Sequence, residues 1–166
     1  MKKNQIVLGV LGIVLLGIII FSINSFTKDK EETRIELHKG KRVYRTLIKY
    51  LLAHLKKHDI IYLLGVDEKI LEAVEPLYLK QYFTILKEKQ VTEKIIGAKG
   101  SKRFHEKYLK YKEIDPSYLD ETTLVIHHSK VFIFIWGTPY SLIIIDNPKV
   151  ANTYRKQFDL LWKIAR

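Results

Sequence analysis

The chain has 166 residues, no cysteine, and 29 Lys and Arg against 18 Asp and Glu, a formal charge of +11. That length holds one domain of ordinary size and little else. The missing cysteines exclude disulfides, thiolate metal sites and cysteine nucleophiles, and the positive balance points to anionic surroundings, lipid headgroups or nucleic acid.

Residues 6–23, IVLGVLGIVLLGIIIFSI, carry no charge. As a helix, 18 residues span about 27 Å, close to the hydrocarbon thickness of a bilayer. Fourteen of the 18 are Ile, Leu, Val or Phe, each favouring insertion by up to about 0.3–0.6 kcal/mol. The rival reading is a cleaved signal peptide, whose apolar core is about 7–15 residues and ends at a small-x-small site. This run is longer and leaves through FSINSFTKDK, without an Ala-x-Ala pattern. The expectation is an uncleaved single transmembrane helix within residues 1–26, with the lipid bilayer as partner through Ile6 to Ile23. Gly9, Gly12 and Gly17 do not form the G-x-x-x-G spacing of a helix-dimerisation face. Lys2 and Lys3 precede the run; Lys28, Lys30, Arg34, Lys39, Lys41 and Arg42 follow it. A count of Lys and Arg favours a cytoplasmic domain, and the same residues would meet anionic lipid headgroups.

A charged linker, residues 27–33, leads into a domain over 34–166. RIELH (34–38) predicts a short strand stopped by Gly40. Residues 41–57 predict an amphipathic helix, because Val43, Tyr44, Leu47, Ile48, Leu51 and Leu55 recur at three- and four-residue steps. IIYLLGV (60–66) is a short apolar run between turn residues, the pattern of a strand buried on both faces. Residues 67–89 predict helix interrupted or restarted at Pro76. VTEKIIG (91–97) predicts a strand, AKGSKR (98–103) a basic loop, and FHEKYLKYK (104–112) a short helix. TTLVIHH (122–128), VFIFIW (131–136) and SLIIID (141–146) follow with short links and predict a meander. Asn147 as N-cap and Pro148 at the first helical position open a last helix, its buried face made of Ala151, Tyr154, Phe158, Leu161, Trp162 and Ala165. Early alternation of strand and helix implies crossovers and a parallel part; the meander adds antiparallel strands. The predicted class is α/β, a mixed parallel/antiparallel sheet with flanking helices. The basic residues interleave with apolar positions along these elements, as on solvated faces.

Two stretches carry a resemblance. IELHKGKRVYRTLIKYLLAHLKKHDIIYLLG (35–65) resembles the start of the effector domain of TrmB-type archaeal transcription regulators. The run 124–165 resembles that domain's end: a hairpin, a Pro-containing turn, an apolar strand, an Asn-containing cap and a helix with Val150, Ala151, Tyr154, Arg155, Phe158, Leu161 and Trp162. The resemblance implies a phospholipase-D-like fold, usually without its catalytic motif. In the regulators this domain follows a winged helix-turn-helix that binds DNA. Here the apolar run takes that place, so a role as transcription factor is not carried over and DNA is not the expected partner. Some members bind sugars through this domain, but their ligand residues do not match this sequence one by one.

A phospholipase-D-type phosphodiesterase needs H-x-K-x-x-x-x-D, with His attacking phosphorus and Lys offsetting phosphate charge; a single-copy chain must dimerise to complete the site. His128 and Lys130 are the catalytic candidates, but Ile135 stands at the Asp position. Two other His have Lys two residues on, His54/Lys56 and His105/Lys107, with Ile61 and Lys112 at the Asp offset, so H-x-K says little in so Lys-rich a chain. No metal site is expected: adjacent His127 and His128 would point to opposite faces of a strand, and there is no H-E-x-x-H. No cofactor motif is present either. Lys99, Lys102 and Arg103 in the Gly-containing loop are anion-binding candidates. The leading expectation is a membrane-anchored, non-catalytic domain that binds an unidentified ligand or protein, a homodimer being one form. The alternatives are a dimeric, tethered phosphodiesterase or nuclease, and a nucleic-acid-binding remnant of a regulator.

Overall fold

The computed structural model describes residues 32–166. The expected anchor and most of the linker lie outside the described residues, and no helix among the described residues is long and apolar enough to cross a membrane. Thr33–Arg166 forms one compact unit.

Among the described residues, seven strands make a single sheet: β1 (Arg34–Lys39), β2 (Ile60–Leu64), β3 (Thr92–Ala98), β4 (Leu109–Ile114), β5 (Thr122–His127), β6 (Lys130–Ile135) and β7 (Ser141–Asp146). Their order is β1-β7-β6-β5-β2-β3-β4. β2, β3 and β4 are parallel neighbours, and every other pairing is antiparallel. This is the mixed sheet expected from alternation followed by a meander. β1 departs from that expectation. It closes the sheet against β7, Arg34 opposite Asp146 and Lys39 opposite Ser141, instead of joining the parallel set.

One face carries α1 (Val43–His54), α2 (Glu68–Val74) and α3 (Pro76–Glu88). The predicted stripe of α1 is buried here together with Leu79, Tyr82 and Leu86 of α3, against Ile61, Ile95, Val125, Phe132 and Phe134 of the sheet. The other face carries α4 (Pro148–Ile164), whose Ala151 and Phe158 pack on Ile96, Ile126 and Val131. The period-two alternation of β5 and β6 sorts their residues between these cores, so that Val125 and Phe132 face one and Ile126 and Val131 the other. The sequence from 67 to 89 splits into α2 and α3 because Pro76 has no amide to donate and opens α3 at its first position.

The stretch 104–112 is a correction. It was expected to be helical from Phe104 and Tyr108, four residues apart. Instead Leu109–Ile114 is a strand lying parallel to β3, Leu109 buried and Lys110 exposed. Pairing with β3, a partner remote in sequence, overrides a local spacing that suits either structure. Helix α1 also ends earlier than expected, at His54, where Leu55 turns extended.

At one end of the sheet lie the start of β2, the end of β5, the start of β6 and the end of β7. The start of α4 is adjacent, joined to the β5–β6 turn by a hydrogen bond from the Asn147 amide to the Ser129 carbonyl, 3.0 Å.

Candidate functional site

The turn before β2 holds Asp59. Its amide donates to the Lys56 carbonyl, its carbonyl accepts from the Thr92 amide, and its carboxylate Oδ2 accepts from the Lys56 amide at 2.7 Å. The side chain is fixed from both directions before anything else reaches it. Two imidazoles then do: His127 Nε2 and His128 Nε2 each lie 3.0 Å from the same Oδ2. Their rings stand 4.0 Å apart, tilted by 54°. His127 is buried at 2% side-chain exposure, while His128 is 46% exposed.

The expectation that these two histidines point apart is therefore corrected. Strand alternation holds for His127 at the end of β5, but His128 lies in the turn with φ +51°. A left-handed residue breaks the alternation and brings its side chain round to the same carboxylate. Arg155 of α4 holds that turn by donating to the His128 carbonyl at 2.8 Å. Because a carboxylate only accepts, both Nε2 atoms carry protons in this arrangement. Burial pushes the His127 imidazole below its ordinary range, against the pull of Asp59. Burial also pushes the Asp59 carboxyl up, but the Lys56 amide, the bond from His127 and the imidazole charges outweigh it and hold the group low. The resting state is thus an ionised carboxylate gripped by a neutral buried imidazole and an accessible one.

Lys130 opens β6 two residues later and does not join His128. Its ammonium pairs with Asp146, directly opposite in the β6–β7 register, and sits 5.4 Å over the Tyr50 ring. Ser129 Oγ donates to the other oxygen of Asp146 at 2.7 Å. Burial pushes the Asp146 carboxyl up, while Lys130 and Ser129 bring it down further, so that it stays below its ordinary value. Ile135 is at the far end of β6, opposite Ser141. A shallow cleft beside His128 is lined by Ser129, Pro148, Lys149, Asn152 and Arg155.

The three basic loop residues do not converge. Lys102 pairs with Glu72, Arg103 pairs with Glu113 and lies over the Tyr111 ring, and Lys99 lines a separate groove with Leu64, Asp115 and Tyr118. Two of the charges are thereby committed to carboxylates.

A second polar group lies inside the core, around a cavity of about 40 Å³ between the helices and the sheet, lined in part by Tyr44, Glu68, Tyr82, Glu93 and Trp136. Glu93 is buried and accepts from the Tyr82 hydroxyl; Glu68 is buried and accepts from the Tyr111 hydroxyl at 2.6 Å. Burial pushes Glu93 up to about 8 and Glu68 up to about 7.

Sequence reasoning missed Asp59, Glu68 and Glu93. Extending the β2–β5 register beyond Tyr62 opposite Ile126 sets Asp59 level with Ser129, but that pairing is not visible in the local sequence. For Glu93 a signal did exist: an acidic residue on a strand whose alternate neighbour, Ile95, faces the core.

No family model and no curated protein matches the chain. Three solved structures share its fold. One is TrmBL2, an archaeal chromatin protein described with a novel mode of DNA binding, at 12% identity and a TM-score of 0.57, over 99% of this chain and 66% of that one. Another is Nuc from Salmonella typhimurium, a phospholipase D family member, at 12% identity and a TM-score of 0.55, over 81% of this chain and 97% of that one. The third is NucT from Helicobacter pylori, at 10% identity and a TM-score of 0.56, over 81% and 98%. The chain spans about two thirds of the length of TrmBL2. The expected phospholipase-D-like architecture is thereby found.

Proposed function

We propose that this chain is a membrane-tethered, non-catalytic binding domain on a phospholipase-D-like fold, with the domain on the cytoplasmic side. The observation that carries this reading is the state of Lys130. A phosphodiesterase needs that ammonium aimed at substrate phosphate beside the nucleophilic His. Here it is neutralised by Asp146 and covered by Tyr50, and the position of the motif's carboxylate holds Ile135. The ligand or protein partner is engaged by the end of the sheet where His128, Ser129 and Arg155 line an open cleft. Nucleic acid is not the partner we propose, since Arg45, Lys102, Arg103 and Lys130 are each paired with a carboxylate.

The test is hydrolysis of bis(p-nitrophenyl) phosphate by the purified chain. The expected rate equals the buffer blank, with the same result for His128→Asn. Cleavage by the native chain that His128→Asn abolishes would replace this reading with its rival, a dimeric tethered phosphodiesterase. One observation favours the rival: Asp59 lies against His128 and supplies from another element the carboxylate that an attacking imidazole uses for orientation.

A further inference from the structure

We infer that Asp59, His127 and His128 form a binding site for a divalent transition-metal ion of the zinc class. This goes beyond ligand binding at the neighbouring cleft and does not depend on it. The donor set comes first. Two imidazole nitrogens and a carboxylate oxygen are the ligands that zinc, cobalt, nickel and ferrous iron share, whereas magnesium and calcium seek oxygen shells. Each of the three residues offers one ligand atom, and those atoms lie within 4.8 Å of one another.

The spacing comes second. With arms of about 2.0–2.1 Å around a tetrahedral ion, neighbouring ligand atoms stand about 3.3 Å apart. Both His-to-Asp59 distances are 3.0 Å, so an ion enters with a few tenths of an ångström of outward movement. Entry replaces the two Nε2 protons. Each ring moves its proton to Nδ1 or releases it, and neither needs a new rotamer.

Preorganisation comes third. Metal sites hold their ligands through a second layer of hydrogen bonds. Here the Lys56 amide holds the Asp59 carboxylate, the Thr92 amide holds the Asp59 carbonyl, and Arg155 holds the His128 carbonyl in a left-handed turn. Burial adds to this by keeping His127 neutral and ready to coordinate. His128 is half exposed, which leaves a route for the ion and room for water in the remaining position.

The experiment is a Co²⁺ titration of the full chain, without a histidine tag, purified in detergent and stripped with chelator. The site predicts one equivalent bound at micromolar concentration, a visible d–d absorption of low-symmetry cobalt, displacement by Zn²⁺ and none by Mg²⁺. His128→Asn tolerates the positive φ but cannot reach the ion; Asp59→Asn keeps the shape of the carboxylate. Each is expected to weaken binding by about 100-fold or more, with circular dichroism unchanged, while His105→Ala, an exposed control, binds as the native chain does. Absence of the band at stoichiometric cobalt would overturn the inference. So would native-like binding by either site variant.

Discussion

At the residue scale the least expected chemistry is the pair of buried carboxylates on the α1–α3 face. An isolated carboxylate in such a place protonates sooner than it stays charged. Glu93, with a folded value of about 8 against an ordinary 4.5, holds its proton at neutral pH, and Glu68, at about 7, is half protonated there. Between the unfolded and folded values the native state binds protons that the unfolded chain has lost. Stability therefore falls as pH rises from about 4.5 to about 8. His127 acts in the opposite sense at the acid end: its folded value lies below 6.5, so its contribution is lost as pH falls through that folded value. The native chain should thus melt at a lower temperature at pH 8.5 than at pH 6.5. Glu93→Gln keeps an acceptor for Tyr82 and removes the titration. Differential scanning calorimetry across that range should find the variant's curve flatter, with the largest gain at the alkaline end. Parallel curves for the two chains would show that Glu93 is not protonated in the fold.

At the element scale α4 is the most locally determined part of the molecule, and it was legible for that reason. Asn147, Pro148 and a stripe repeating at three and four residues are signals within one stretch of chain, and the helix runs Pro148–Ile164 as they indicate. β4 and the position of β1 were not legible, because each is fixed by a partner strand far away: β4 by β3, β1 by β7. The candidate site divides the same way. His128 and Lys130 could be read as a motif, but their separation could not, since Lys130 is drawn off by Asp146 across a strand pair and His128 is drawn in by Asp59, 69 residues earlier. The cap of α4 has a further role. Asn147 Oδ1 accepts from the amides of Lys149 at 2.8 Å and Val150 at 3.2 Å, while its Nδ2 donates to Thr33 Oγ1 at 2.6 Å. One side chain thus ends the helix and ties it to the residue preceding β1. Asn147→Ala should cost about 1–2 kcal/mol in urea unfolding. Asn147→Asp retains the cap and loses only the Thr33 bond, so it should recover most of that loss. Equal losses for Ala and Asp would place the cost in the Thr33 contact and not in the cap.

At the scale of the whole molecule the sheet has two open edges, and they are protected differently. The β4 edge is covered by the chain's own end: the Glu113 amide donates to the Arg166 carbonyl at 2.7 Å and the Arg166 amide returns the bond at 3.1 Å, while Lys112 Nζ caps the carbonyls of Trp162 and Ala165. The other edge is β1 itself. Ile35 and Leu37 are exposed on it, at 65% and 58%, but they alternate with Arg34, Glu36, His38 and Lys39, and charge along an edge discourages a second chain from adding a strand. Beneath β1 lies β7, whose sequence SLIIID has no charge before its last residue. β1 pairs with all six residues of that strand. It thus acts as a cover that exchanges an apolar edge for a charged one, at the point where the chain enters the domain. A chain beginning at Gly40 uncovers β7 and should self-associate. Size-exclusion chromatography should show the monomer of the Thr33–Arg166 unit replaced by larger species at equal concentration, with the circular dichroism of a folded α/β domain retained. Ile143→Lys in the shortened chain restores charge to the uncovered edge and should return the monomer. A shortened chain that stays monomeric would show that β1 is not needed as a cover. If it associates and Ile143→Lys leaves the association unchanged, the β7 edge is not the contact.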